Sequence, residues 1–226
     1  MMAPGTAVRL TCRDDTLNVL FVMATVQEYG PRLKERINPL ITGVGPVEAA
    51  AVTAHQLADL TATGAPVDLL VSLGSAGSNV LDQGEVYQAA SVSYRDMDAS
   101  ALGFEKGRTP FLDLAAELAI SQQLDGIASA SLSTGANIVS GDAYAAIGSD
   151  MVDMETFAIM RAAHRFNIPL IGLRGISDGK EPVSRYEDWT RYLDDIDHKL
   201  ADITDRMESL FCANDKAYWT ALPEGV

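Results

Sequence analysis

The chain of 226 residues carries 31 acidic against 17 basic side chains, a net charge of −14, with 47% hydrophobic and 21% charged residues. That balance belongs to a globular protein with a substantial core and is too apolar for a disordered chain. The acidic excess argues against nucleic acid and anionic membrane as partners, since both need a basic footprint, and leaves a small neutral or zwitterionic ligand open.

Residues 1–17 are polar and irregular and read as an extension that need not be ordered, followed by one domain over 18–226. The N-terminus lacks the apolar stretch of a signal peptide, and no apolar run reaches the ~18–20 residues that span a bilayer. A soluble, cytoplasmic protein is expected. Cys12 and Cys212 stand outside any CxxC or Cys/His cluster and read as two reduced thiols. Short runs rich in Val, Ile and Leu, closed by Gly or polar turns, predict strands at 18–24, 39–42, 67–73, 84–94, 127–133 and 169–175. Between them, helical spacing of apolar residues predicts helices over 46–60, 111–124 and 154–166. A last amphipathic helix is expected over 186–211, with Trp189, Tyr192, Leu193 and Ile196 on its apolar side. Alternating strands and helices of this kind form a three-layer α/β domain, a mixed central sheet flanked by helices.

Familiar catalytic sets are missing. His55, His164 and His198 fall inside predicted helices with no nucleophile nearby and read as surface or packing residues. Gly43-Val44-Gly45 follows a strand and opens a helix, yet Glu48 stands where a dinucleotide fingerprint needs its third glycine. There is no Walker loop, HExxH or GxSxG. Carboxylates flanked by apolar sequence are more informative, because an acid is rarely buried without a use. Asp178 lies past the end of the strand LIGLRGIS, where ligands of open α/β sheets gather. Glu28 follows the first strand in the same way. Glu155 opens a helix in VDMETFAI. Each has an ordinary reading as well: Asp178 as a turn residue before Gly179, Glu28 as a surface acid, Glu155 or Asp153 as an acid placed at a helix N-terminus.

ATVQE at 24–28, TGVG at 42–45, LLVSLGSAG at 69–77, YRDMDASALGFEKG at 94–107, IVSGDAY at 138–144, VDMETFAI at 152–159 and RGISD at 174–178 occur in that order. Together they resemble the bacterial 5′-methylthioadenosine/S-adenosylhomocysteine nucleosidases, whose fold is nucleoside phosphorylase-like. The resemblance implies hydrolysis of an adenine nucleoside at its N-glycosidic bond, with no metal or cofactor. By position, it implies that Asp178, with Ser177 beside it, protonates the base at N7. Glu28, helped by Ser75 and Arg174, would activate water. Glu155 would grip the ribose hydroxyls, with Met154 against the sugar, and Asp153 stands in for a glutamate. Tyr144 would stack on adenine, Ala145 would read the base edge through its backbone, and Gly77 would lie in the same site. Thr25, Val44 and Tyr186 would line the 5′-substituent pocket. The stretch carrying Ala99, Leu102, Phe104 and Pro110 would reach into a neighbouring subunit's site, which implies a homodimer.

Two other readings share these features. A phosphorylase of the same fold needs cations around phosphate, whereas here the first strand leads into an acidic stretch; the second is a non-catalytic nucleoside-binding relative. Shorter segments after Glu28 and Tyr144 leave the 5′-substituent open, from methylthio to homocysteine-bearing, 5′-deoxy or aminofutalosine-like.

Overall fold

The computed structural model describes residues 5–12, 15–179 and 185–222. Nine strands among them form one mixed sheet. In chain order they are β1 (Val8–Cys12), β2 (Asp15–Met23), β3 (Leu40–Ile41), β4 (Leu69–Gly77), β5 (Val86–Tyr94), β6 (Glu117–Ala119), β7 (Ser129–Thr134), β8 (Met151–Asp153) and β9 (Leu170–Asp178). The helices are α1 (Pro31–Lys34), α2 (Pro46–Ala62), α3 (Thr156–His164), α4 (Tyr186–Thr190), α5 (Leu193–Asp205), α6 (Met207–Phe211) and α7 (Lys216–Thr220).

At the centre, β4 runs parallel to β2 on one side and to β9 on the other, and β9 is antiparallel to β5. The central strands are apolar on both faces because both faces are covered. Leu20, Val22 and Leu70 belong to a core with Ala49, Leu57 and Ile159 of α2 and α3. Their alternating neighbours Val19, Phe21 and Leu69 belong to a second core with Leu200, Met207 and Trp219 of α5 to α7. The three-layer α/β architecture expected from the alternation of elements is the one found, and no helix among the described residues is long and apolar enough to cross a membrane.

Four local expectations give way. Residues 8–12, read as part of an irregular extension, form β1 and pair with β2 in a hairpin, so the polar stretch is recruited to a sheet edge. Cys12 and Cys212, read as reduced thiols, form a disulfide with Cα atoms 5.4 Å apart, because the hairpin and the end of α6 come together although 200 residues separate them. The expected helix over 111–124 is absent. Leu118, Ile120, Gln122 and Leu124 are buried in strict alternation, a period of two, and β6 pairs antiparallel with β5. The long C-terminal helix is broken into α4, α5 and α6, which frees Trp189 from the row of residues that α5 buries.

β4 and β9 carry an irregularity that shapes the site. Their register runs Ala76 opposite Ile176 and then Gly77 opposite Asp178, so Ser177 is the extra residue of a β-bulge. A bulge kinks the strand and re-aims its side chains. Here it carries Asp178 past the sheet's edge, and Ser78 N–H holds its carbonyl at 2.8 Å. Gly179 follows at φ +128, and a Cβ there would meet the Ser78 carbonyl oxygen at 2.3 Å. Only glycine fits that exit.

Candidate active site

A cavity of about 270 Å³ opens at the C-terminal ends of β2, β4 and β9, lined among others by Glu28, Ser75, Gly77, Met154, Glu155 and Asp178. Thr25, Val44 and Asp153 also border it, so the acids singled out at strand and helix ends share one space. Each is held differently.

Glu28 sits on the turn after β2. Its Oε1 accepts from the Ser75 backbone N–H at 2.8 Å and from Ser75 Oγ at 2.6 Å. Ser75 Oγ in turn accepts from Trp189 Nε1 at 3.0 Å. Oε2 is buried with no protein partner. Burial raises the Glu28 pKa, and the Ser75 bonds and the Arg174 charge oppose that rise.

Glu155 is the residue before α3, 8% exposed, and its Oε1 accepts from Gly45 N–H at 2.8 Å. Gly43-Val44-Gly45 thus acquires a purpose unrelated to dinucleotides. Gly45 adopts φ 98, a region that glycine enters freely, and there presents its N–H to the acid. Burial, and then repulsion from Asp153, raise the Glu155 pKa to about 7.

Asp178 presents Oδ1 to Ser177 Oγ, which donates at 2.6 Å. Burial raises its pKa as well, the direction in which a general acid is tuned.

Asp153 and Arg174 form a buried ion pair, 6% and 2% exposed. Asp153 also accepts from Thr134 Oγ1 at 2.6 Å, from Thr156 N–H at 3.0 Å and from the Thr156 hydroxyl. Arg174 reaches Asp153 through Nε at 3.1 Å, the Ser72 and Leu173 carbonyls through Nη1, and the Ser72 and Thr156 hydroxyls through Nη2. A guanidinium has five N–H groups, and five bonds occupy them. Arg174 therefore acts on Glu28 through its field and not through a hydrogen bond, unlike the direct help implied by the resemblance.

Three further implied positions lie elsewhere. Tyr144 is 5% exposed and packs with Val139, Val152 and Ile147 behind the cavity wall. Ala145 beside it is exposed and does not line the cavity. Tyr186 is 59% exposed and covers Trp189 edge-on, ring centroids 5.5 Å apart, and it is Trp189 that lines the cavity. No local pattern signals this, since a tryptophan on an apolar helix face reads as core. Arg95, Asn137 and Ile138 also line the cavity and were not singled out. Ala99, Leu102, Phe104 and Pro110 stand outside it, Leu102 being 76% exposed.

Residues 133–207 match the model of the Phosphorylase superfamily. A 5′-methylthioadenosine/S-adenosylhomocysteine nucleosidase of Staphylococcus aureus is 31% identical over 183 residues, covering 69% of this chain and 75% of the relative. The chain belongs to that nucleosidase family. Solved structures agree on the fold. The nucleosidase of Neisseria meningitidis in complex with methylthio-immucillin-A superposes with a TM-score of 0.69 at 21% identity, covering 85% of this chain and 99% of that one. A futalosine hydrolase of Helicobacter pylori gives 0.64 at 20% identity, with 87% and 97% covered. Within the family's fold, the three acids Glu28, Glu155 and Asp178 ring one cavity at the sheet's C-terminal edge.

Proposed function

We propose that the chain hydrolyses the N-glycosidic bond of 5′-methylthioadenosine and S-adenosylhomocysteine, releasing adenine and the thio-substituted ribose. The observation that carries this reading is the set of three differently held acids, Glu28, Glu155 and Asp178, around one cavity. Breaking an N-glycoside passes through an oxocarbenium-like state, and adenine leaves only once protonated. Asp178, whose pKa burial raises, gives its proton to N7. Glu28, whose Oε1 is committed to Ser75, receives a proton from the attacking water at Oε2. Glu155 grips the ribose hydroxyls with Met154 against the sugar, and orients the reacting carbon. Thr25, Val44 and Trp189 bound the region for the 5′-substituent.

Phosphorolysis is disfavoured by charge. The residues around Ser75 present Glu28, and Arg174 has no N–H left for a phosphate. A carboxylate there repels a dianion and favours water. The segment bearing Ala99, Leu102, Phe104 and Pro110 projects outward with Phe111 (91% exposed), which supports a homodimer in which it reaches a second copy. Sedimentation showing only monomers would remove that part of the reading.

The test is product analysis after incubation with 5′-methylthioadenosine, with and without phosphate. Adenine and free methylthioribose are expected in both, and adenine only with phosphate would make the chain a phosphorylase. Asp178→Asn is expected to lose adenine release while keeping ligand binding.

A further inference from the structure

Asp178 has two carboxyl oxygens, and the structure distinguishes them. Oδ1 accepts the Ser177 hydroxyl proton at 2.6 Å. A transferable proton therefore belongs on Oδ2. Oδ2 faces the backbone of Gly77 in β4, and on the same point converges the hydroxyl of Tyr144. A Cβ at Gly77 would meet Tyr144 Oη at 2.3 Å and Asp178 Oδ2 at 2.9 Å. The absence of a side chain at Gly77 is what lets the two oxygens share that space. Tyr144 is 5% exposed, its ring fixed among Val139, Val152 and Ile147, and its hydroxyl is buried with no hydrogen-bond partner. A buried phenol normally finds a partner. The charged groups felt by this one are Asp178 and, more weakly, Arg95 at the end of β5.

We propose that Tyr144 is a positioning residue for the acid step, its hydroxyl, which has no hydrogen-bond partner among the described residues, donating to Asp178 Oδ2 once the acid's proton has left for the base. A phenol hydroxyl carries one O–H donor, which rotates to suit its acceptor. In the reaction the proton passes from Oδ2 to N7 of adenine, and the electron pair of the breaking N9–C1′ bond goes to the base. The carboxylate left behind would be buried with only the Ser177 donor. Rotation of the Tyr144 O–H toward Oδ2 supplies a second donor at the moment the charge forms. Hydrogen bonds to charged groups are stronger than neutral ones, so the hydroxyl favours the proton-transferred state over the ground state and acts on kcat. This inference rests on Asp178 being the acid.

Tyr144→Phe removes one oxygen and keeps the ring, so no cavity opens, and an unchanged thermal midpoint checks that. With 5′-methylthioadenosine, the variant is expected to lose about 10- to 100-fold in kcat with KM changed less than about 2-fold. The alkaline limb of its kcat/KM profile should move up by roughly one pH unit, because a carboxylate without the phenol donor holds its proton longer. Wild-type kcat with an unmoved limb overturns the proposal. A rise in KM alone also overturns it and returns Tyr144 to a base-stacking role. Asp178→Asn is measured beside it. If that variant turns over normally, the acid assignment itself fails; if it is inactive while Tyr144→Phe behaves as wild type, only the role of Tyr144 fails.

Discussion

Glu155→Gln separates what the site needs from what the fold prefers. Glu155 is 8% exposed, lies near the buried Asp153 carboxylate and has its pKa raised from 4.5 to about 7. Below pH 4.5 the carboxyl is neutral in both folded and unfolded chains and costs nothing. Between 4.5 and about 7 the unfolded chain ionises while the folded one resists, so stability falls as pH rises, and above 7 the full cost is present. The gap corresponds to about 3 kcal/mol at pH 8 and to about 1 kcal/mol at pH 5. Glutamine keeps the Oε1 acceptor that Gly45 N–H uses and removes the charge. The variant is therefore expected to gain about 2 kcal/mol more over the wild type at pH 8 than at pH 5. For a chain of this length that is a further rise of about 4–8 °C in Tm. Thermal unfolding of both proteins at the two pH values, without ligand, measures it. The same variant should turn over poorly, since ribose hydroxyls lose their charged acceptor. Equal stabilisation at both pH values would refute the argument, because it would show that Glu155 is not forced into the fold as a neutral acid.

Two other perturbations follow from the same geometry. The Cys12–Cys212 bridge closes a loop spanning 200 residues, for which chain entropy gives about 5 kcal/mol as an upper figure; Cys12→Ser with Cys212→Ser should lower the denaturant midpoint and abolish its sensitivity to thiol reductants. An unchanged midpoint would mean that the bridge contributes nothing to the fold. Asp153 raises the pKa of both Glu28 and Glu155, whereas Arg174 lowers both, so Asp153→Asn should move the acidic limb of the rate profile to lower pH. A limb moving to higher pH would contradict the field described for this ion pair.

The sheet was legible because its central strands are continuous apolar runs, and α2 and α3 because their apolar spacing is helical. Residues 111–124 misled for a physical reason. Phe111, Leu114 and Leu118 fall at helical spacing, but the chain instead pairs Leu118 with Val92 and Ala119 with Ser91, and alternation wins. Hairpin β1 and the disulfide depend on pairing between distant segments, which no local pattern encodes. In the site, Asp178, Glu28 and Glu155 stood out because acids in apolar company at strand and helix ends are uncommon. Trp189, Thr134, Thr156 and Ser72 did not, since a tryptophan on an apolar face and hydroxyls in strands or at a helix start have ordinary roles until their partners are known.

What differentiates the three acids is the number of donors that the backbone and its neighbours give each one. Glu28 has two, both from Ser75; Glu155 has one from Gly45; Asp178 has one from Ser177; the field of the Asp153–Arg174 pair acts on both glutamates. Burial raises the pKa of all three and the donors oppose that rise, so the donor set is one of the features that set the acids apart. In the proposed mechanism the best-served acid, Glu28, takes the proton from water, and the sparsely served Asp178 gives its proton to the base. The bulge at Ser177 makes that difference possible. A regular strand would point residues 176 and 178 to the same face with no extra residue between the paired positions, and Asp178 would have neither the adjacent Ser177 donor in this geometry nor the opening at Gly77 that admits Tyr144. One inserted residue in β9 thereby sets both the direction of Asp178 and the donor beside it.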